Sequence, residues 1–304
     1  MTTIKQIFLT LFLASSGSLF AQEITGNVTS ETGEGVPFTS IFLRERNIGI
    51  VSDINGYYRL PTDILENVGD TLIFSSIGFD TQRFPVAEFA EKVAAGNTDI
   101  VLIANYILLS EVVVTPRQPQ DYGFFHIRRG FPISITGTSG RFMVFIENTS
   151  DAPKLIQTVN VRLTSTNDDG FKLRVFFYQK TDDGLQNINV GENIFITDLS
   201  QTRIQHDVSE LHIPFPAEGI LMGIEIIGEE NVMQERSEPV PISFSGTSRA
   251  RGVDLYFYDE EDSEWKNVRA KINEAVVEEL PRVVRVTFGN VIRNMTPMIG
   301  LTAH

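Results

Sequence analysis

Short stretches in which apolar and polar residues alternate recur along most of this chain. Alternation with a period of two predicts strands that bury one face. Within the first 105 residues, the predicted strands are 24–28, 38–44, 71–76 and 100–104. Turn residues such as Asn55-Gly56 and Gly69-Asp70 separate them. This regular succession of short strands and turns is typical of a β-sandwich.

One stretch breaks this pattern. The sequence VAEFAEKVAA at 86–95 contains helix formers, and its apolar residues lie three and four positions apart. Gly96-Asn97 follows, and this pair commonly ends a helix. We therefore predict one short helix that covers an edge of the first sheet.

After residue 116 the composition of the chain changes twice. Residues 117–121, RQPQD, carry no apolar side chain except proline and have the composition of a linker. Beyond them strand patterns resume, and the predicted strands are 131–135, 141–148, 155–165, 171–180, 193–197, 210–215, 219–227, 253–258, 282–288 and 297–302. Their number predicts a larger, jelly-roll-like sandwich. The predicted organisation is an all-β chain with one sandwich at 22–116 and a second at 122–304.

Residues 1–21 have the layout of a secretory signal peptide. Lys5 is the only charged residue in this segment, an apolar run follows it, and small residues lead to Ala21. The apolar run is shorter than the roughly 20 residues that a membrane-spanning helix needs. We therefore expect export and cleavage, and we predict no transmembrane segment in the mature chain.

Charge and composition narrow the classes of function. The 304 residues carry a formal net charge of −14. An acidic protein is a poor nucleic-acid binder, because phosphate recognition needs basic surface. The chain has no cysteine, which excludes disulfides, thiolate catalysis and cysteine-rich zinc sites.

Consecutive segments of the first domain carry a family resemblance. They are GEGVPFTSIFL at 33–43, NIGIVSDINGYYRL at 47–60, GDTLIFSSIGFDTQRFPV at 69–86 and LLSEVVVTP at 108–116. Together they resemble the carboxypeptidase-like regulatory domain, a transthyretin-like β-sandwich common in exported proteins of Bacteroidetes-type bacteria. The resemblance implies a Greek-key sandwich over residues 23–116 that has no catalytic residues and serves in folding, spacing or docking.

Two further segments extend this resemblance. LSEVVVTP at 109–116 is similar to the segment that follows this domain in TonB-dependent outer-membrane receptors. The remaining chain is too short to form the large barrel of such a receptor. FKLRVFFYQK at 171–180, ENIFITDLS at 192–200 and FPAEGILMGIEIIG at 215–228 resemble the C-terminal sandwich of uncharacterised exported proteins with the same first domain. This second resemblance implies an architecture but no activity.

Two acidic turns are candidate calcium sites. Asp168-Asp169-Gly170 and Asp182-Asp183-Gly184 place paired carboxylates beside a glycine. Calcium prefers several oxygen ligands, which such turns can provide. The full spacing of a calcium-binding loop is missing, so ordinary hairpin turns remain the alternative.

A group of aromatic residues near the C-terminus is a candidate glycan site. Tyr256, Tyr258 and Trp265 lie close together in the sequence, and flat aromatic faces suit sugar rings. Strand alternation places both tyrosines on one face if Phe257 faces the core. The alternative is core packing, which the dominance of phenylalanine favours (22 Phe, 7 Tyr and 1 Trp).

The domain junction carries a basic cluster. Arg128 and Arg129 lie just after the predicted linker, and Arg141 begins a predicted strand. These side chains bind either a partner or acidic groups at the interface between the two domains. The sequence leaves both interpretations open.

Three functional hypotheses remain open on this evidence. The first is a non-enzymatic, exported docking or scaffold protein that binds an envelope or outer-membrane protein, in the periplasm or at the outer-membrane surface. The second is a carbohydrate-binding module. The third is a hydrolase with paired carboxylates on the second domain, because such a pair can meet in space without a sequence motif. Apart from calcium, we expect no cofactor.

Overall fold

The computed structural model describes most of the chain, with gaps. The described residues are 23–46, 48–105, 119–126, 131–136, 140–150, 152–165, 170–182, 184–188, 193–232, 234–235, 239–247, 253–259, 264–267, 296–297 and 299–304. The predicted signal peptide at 1–21, residues 117 and 118 of the predicted linker and the predicted strand at 282–288 lie outside them.

Among the described residues, the first domain contains the four predicted strands, three strands that were not predicted and two helices. They are β1 (Glu23–Ser30), β2 (Ser40–Leu43), β3 (Ile48–Val51), β4 (Tyr57–Pro61), a 3₁₀-helix (Thr62–Glu66), β5 (Thr71–Ser75), β6 (Gln82–Pro85), α1 (Val86–Ala94) and β7 (Ile100–Leu102). In β1, Ile24, Gly26 and Val28 are buried, whereas the residues between them are exposed. This period of two is the reason the segment forms a strand over a core.

The first sandwich consists of two sheets. One has the strand order β4-β1-β7, and the other places β3, β2, β5 and β6 side by side. Phe74 and Tyr58 lie fully buried between them, with their ring centroids 5.6 Å apart. The predicted helix is confirmed as α1, which buries Val86 and Phe89 against this core.

The second domain contains the remaining strands. They are β8 (Gln120–Gly123), β9 (Phe131–Thr136), β10 (Arg141–Ile146), β11 (Lys154–Arg162), β12 (Lys172–Thr181), β13 (Gly184–Asn187), β14 (Ile194–Ile196), β15 (Arg203–Asp207), β16 (Pro214–Phe215), β17 (Ile220–Ile227), β18 (Gln234–Glu235), β19 (Pro239–Thr247), β20 (Leu255–Asp259), β21 (Glu264–Asn267), β22 (Thr296–Pro297) and β23 (Ile299–Ala303). The C-terminal strand β23 lies between β11 and β8, so the end of the chain closes this domain.

The second sandwich packs a large sheet against two smaller ones. The large sheet has the order β13-β12-β17-β10-β20-β21, with β14 also paired to β12. The opposing sheets are β15-β11-β23-β8, with β16 paired to β11, and β22-β19-β9. Their inward side chains form one continuous apolar core. The all-β class and the two sandwich domains are therefore confirmed.

Several details differ from the predicted strands. The predicted strand at 210–215 is instead a 3₁₀-helix (Ser209–Leu211) followed by the two-residue strand β16. His212 separates them with a φ of 50°, a left-handed conformation that interrupts an extended strand. Residues 120 and 121, which have linker composition, belong to β8. No helix among the described residues is long and apolar enough to cross a membrane.

Candidate functional site

The outer face of the large sheet carries the candidate site. Every residue of its central strand, β17, is buried. Alternate residues face the core of the second sandwich, and the others, including Leu221, Gly223 and Glu225, face the first domain. A strand buried on both faces is expected to be a nearly continuous apolar run. The sequence ILMGIEII fits that expectation, except at Glu225.

Glu225 lies between two arginines on the neighbouring strands. The register places Arg141 of β10 and Arg174 of β12 directly opposite it. Arg141 Nε donates to Glu225 Oε1 at 2.8 Å, and Arg174 Nη1 donates to Oε2 at 2.9 Å. These side chains are no more than 1% exposed. Burying charges this deeply is costly unless they are paired and most of their N–H groups find acceptors.

The first domain supplies such acceptors. Arg141 donates to the hydroxyl of Ser75 at 3.0 Å and to its carbonyl at 3.2 Å. Arg174 donates to the hydroxyl of Ser76 at 3.2 Å. Burial lowers the pKa of Arg174, and the negative charge of Glu225 opposes this effect. The two arginines therefore connect the large sheet to the end of β5.

Phe38 anchors the other end of this interface. Its φ of 50° lies in the left-handed region, which is strained for a residue with a Cβ. Arg174 of the second domain donates to the carbonyls of Pro37 and Phe38 in this turn, at 2.5 and 3.3 Å. The Phe38 ring meets Phe195 edge to face at 4.8 Å and lies 4.4 Å from Lys172 Nζ. Contacts between the domains thus offset the local strain.

A loop of the second domain adds a third connection. β18 pairs antiparallel with β3, so the second domain contributes a strand to a sheet of the first. Just before it, the backbone N–H of Asn231 donates to the carbonyl of Val51 at 2.7 Å. The side-chain oxygen of Asn231 accepts the N–H of Arg59 at 2.8 Å. Backbone hydrogen bonds therefore join the two sandwiches.

Beside this interface the two domains leave an open cleft of about 630 Å³. We call it the interdomain cleft. The first domain lines it with residues 76–83 and Asn105, and the second lines it with Arg141, Tyr178, Leu185, Asn187, Tyr258 and Trp265. Ligand pockets commonly occupy ~300–1,000 Å³ and often lie between domains. By size and position, this cleft is the candidate binding site.

Aromatic rings form the second-domain side of the interdomain cleft. Trp265 is half-buried, and Tyr178 and Tyr258 meet its ring at centroid distances of 5.7 and 5.1 Å. Phe176 supports the indole from beneath at 5.6 Å. The guanidinium of Arg141 lies 5.0 Å from the centre of the Tyr258 ring. Each ring is therefore held by neighbours before any ligand arrives.

A glycine permits the aromatic packing. Gly223 lies opposite Phe176 in the sheet, and a Cβ at this position would come within 2.0 Å of the Phe176 ring. The missing side chain lets that ring lie across β17 and reach Trp265. Burial raises the pKa of the nearby Tyr178 hydroxyl, so this group stays protonated at neutral pH.

Polar groups form the first-domain side of the interdomain cleft. Gly78 has a φ of 83°, which glycine adopts readily and which turns the loop after β5 back toward the second domain. The Asp80 carboxylate accepts the amide of Asn105 at 2.6 Å. Thr81 lies within hydrogen-bond distance of the Tyr258 hydroxyl, at 3.3 Å. Gln82 lies opposite Phe74 in the register of β5 and β6, so its side chain lies on the core face of this sheet and not on the face toward the second domain.

The fold and sequence of the first sandwich can now be compared with known families. Residues 24–114 match the family model of the CarboxypepD_reg-like domain. This match confirms the resemblance of the first domain. Ser75, Ser76 and the loop that carries Asp80 lie inside the matched range, so the CarboxypepD_reg-like domain provides one side of the interdomain cleft.

Comparisons with whole proteins add little. No curated protein sequence matches this chain. Among solved structures, two of BcpA, the major pilin subunit of Bacillus cereus, are similar at 12% and 13% identity, with TM-scores of 0.17 and 0.18. Both alignments cover 80% of this chain, but only 66% and 65% of the pilin chains. Similarity at this level carries no inference about this protein.

The structure separates the predicted glycan residues. Phe257 faces the core, and Tyr256 and Tyr258 share the outer face. Tyr258 and Trp265 line the interdomain cleft. Tyr256 lies outside it, 5.9 Å from Lys180 Nζ. Glycan binding by these residues stays a prediction, now centred on two of the three.

The predicted calcium residues are mostly outside the described chain. Asp168, Asp169 and Asp183 lie outside it, and Asp182 is exposed in the turn between β12 and β13. Within the described residues, no group of three or more His, Asp or Glu side chains could hold a metal ion. The calcium sites therefore stay a prediction.

Of the basic cluster at the junction, only Arg141 is among the described residues. Arg128 and Arg129 lie outside the described residues. Arg141 pairs with Glu225 and donates to Ser75, so it belongs to the domain interface. Its side chain is inaccessible to a protein partner while this interface is intact.

Sequence reasoning missed Glu225, Asp80 and Asn105. For Glu225 a signal existed, because a single acidic residue inside a continuous apolar run indicates a buried charge that needs a partner. For Asp80 and Asn105 no such signal existed. They lie far from Trp265 in the sequence, and only the packing of the two domains brings them to one cleft.

Proposed function

We propose that this protein is a non-enzymatic, exported binding protein that serves as a docking or scaffold module at the cell envelope. The observation that supports it best is the buried row of Arg174, Glu225 and Arg141 between the domains. If only a flexible linker joined the two sandwiches, these charged side chains would be exposed to solvent. Joined this way, they form one block with a fixed cleft and fixed loops, which suits the binding of a partner by preformed surfaces.

The chemistry of the cleft supports a binding role over hydrolysis. Glycoside hydrolysis uses two carboxylates on opposite sides of the scissile bond. Among the described residues that line the interdomain cleft, Asp80 is the only carboxylate, and it already binds Asn105. A CarboxypepD_reg-like domain on the other side agrees with a regulatory or docking role.

Export is inferred from the signal-peptide layout of residues 1–21. Cell fractionation with intact-mass analysis of the purified protein tests this inference. We expect an extracytoplasmic protein that begins near Gln22. A full-length chain retained in the cytoplasm would contradict export and the envelope role with it.

The docking role is tested by cross-linking in intact cells. We expect the tagged full chain to capture one envelope protein in constant stoichiometry. The matched control is the same chain without residues 1–21, which stays in the cytoplasm and should not capture that protein. Absence of a stoichiometric envelope partner, or equal capture by the control, would overturn the docking proposal.

A further inference from the structure

We propose that the interdomain cleft binds a carbohydrate, with a pyranose ring placed against Trp265 and Tyr258 and its hydroxyls bound by side chains of the first domain. This inference rests on the proposed binding function and names the ligand class of its cleft. It also requires the two domains to act together, because neither contributes both kinds of contact.

The aromatic side of the cleft supplies the first requirement. A pyranose presents several C–H groups on one face, and these pack well against aromatic rings. Trp265 and Tyr258 are partly exposed in the cleft, although large aromatic side chains usually bury their apolar area. Phe176 fixes the indole, and Arg141 fixes Tyr258. The rings therefore need little ordering when a sugar binds.

The polar side supplies the second requirement. Sugar hydroxyls both donate and accept hydrogen bonds, so they are best matched by amides and carboxylates. Thr81 contributes a hydroxyl that lies 3.3 Å from the Tyr258 hydroxyl. Asp80 and Asn105 form a carboxylate–amide pair in the same wall of the cleft. Both side chains are exposed, so they can accept hydrogen bonds from sugar hydroxyls and donate to them.

The charge of the cleft indicates which carbohydrates fit. Its described lining includes Asp80 and the basic residues Arg83 and Arg141, of which Arg141 is committed to Glu225 and Ser75. The accessible groups therefore have no strong excess of either sign. This favours neutral hexoses and N-acetylhexosamines over densely charged sugars.

The chain provides its own probe for this test. Trp265 is the single tryptophan of the protein, so all tryptophan fluorescence reports on the cleft. The full mature chain is titrated with glucose, galactose, mannose, N-acetylglucosamine, cellobiose and chitobiose, and heats of binding are measured in parallel. We expect at least one of these sugars to change the emission saturably and to release heat with the same Kd.

Matched variants locate the binding. Tyr258→Ala and Asn105→Leu should each weaken binding of that sugar about tenfold or more, as expected for a lost stacking ring or hydrogen bond. Tyr256→Ala changes a tyrosine of the same strand and face that lies outside the cleft. Gln186→Leu changes a half-buried glutamine of β13 outside the cleft lining. Both controls should keep the wild-type affinity within about twofold.

The source of the sugar is distinguished by a further comparison. Co-sedimentation with insoluble chitin and cellulose detects binding inside a polysaccharide, whereas soluble disaccharides detect binding of free sugar ends. Either result supports the inference and assigns the source. If no sugar binds, or if Tyr256→Ala weakens binding as much as Tyr258→Ala, the inference is overturned. A stoichiometric envelope partner would then still support the docking proposal, so the two failures are distinguishable.

Discussion

At the scale of single residues, the most consequential side chain is Glu225. It forms ion pairs with two buried arginines, at 2.8 Å to Arg141 and 2.9 Å to Arg174. Removing one member of a buried ion pair leaves the remaining charge without compensation, which is far more costly than losing an exposed pair. Here a single carboxylate compensates two guanidinium groups.

The Glu225→Gln variant tests this dependence. The amide keeps the shape of the side chain but leaves Arg141 and Arg174 without a counter-charge. We expect a loss of about 3–5 kcal/mol in the free energy of unfolding, measured by urea denaturation with circular dichroism.

Glu230→Gln is the matched control for that experiment. Glu230 pairs with Lys172, but both side chains are partly exposed, at 31% and 25%. A pair of this kind contributes only about 0–1 kcal/mol. Similar losses in the two variants would contradict the assigned importance of the buried row.

At the scale of elements, the loop that ends in β18 fastens the second domain to the first. Asn231 initiates this connection with a φ of 57° and contacts Val51 and Arg59. Asparagine tolerates a left-handed backbone better than other residues with a side chain, and glycine tolerates it best. Asn231 therefore adopts the turn conformation and also supplies a side-chain acceptor for the backbone N–H of Arg59.

Two substitutions separate these contributions. Asn231→Gly removes the side-chain acceptor but keeps the left-handed turn, whereas Asn231→Ala loses both. We expect the order of stability wild type, Gly, Ala, with Ala about 1 kcal/mol below Gly. The amide of Arg59 should exchange with solvent faster in both variants, because its acceptor is gone. Unchanged protection of that amide would contradict the role of the Asn231 side chain as its acceptor.

At the scale of the whole molecule, the buried interface predicts that the two sandwiches unfold together. Trp265 reports on the second domain. Since the chain has no cysteine, a fluorophore on Val68→Cys reports on the first domain from a side chain that is 67% exposed. We expect both signals to change at the same urea concentration, because the arginine row and β18 lose their partners if either domain unfolds.

The converse result is equally informative. If the label changes at a lower urea concentration than Trp265, the first domain is an independent unit and the interface contributes little. The Glu225→Gln variant is the natural comparison, because a weakened interface should separate two transitions that coincide in the wild type.

The local architecture of this protein follows from short-range patterns in its sequence. Alternation predicted most strands, the helix formers at 86–95 predicted α1, and the position of Phe257 fixed the face shared by Tyr256 and Tyr258. These features depend on the period of a short segment, which is readable without knowing its neighbours. The segments quoted from the first domain also carried its family resemblance, which the family model confirms.

The site, in contrast, depends on how the two domains pack against each other. Whether Glu225 is buried, whether Tyr258 lines a cleft and whether Asp80 lies in the same cleft as Trp265 all depend on which surface covers the outer face of the large sheet. That covering surface comes from a separate domain, through contacts between residues far apart in the chain. Periodicity says which face of a strand is apolar, but it contains no information about the partner that packs on the opposite face.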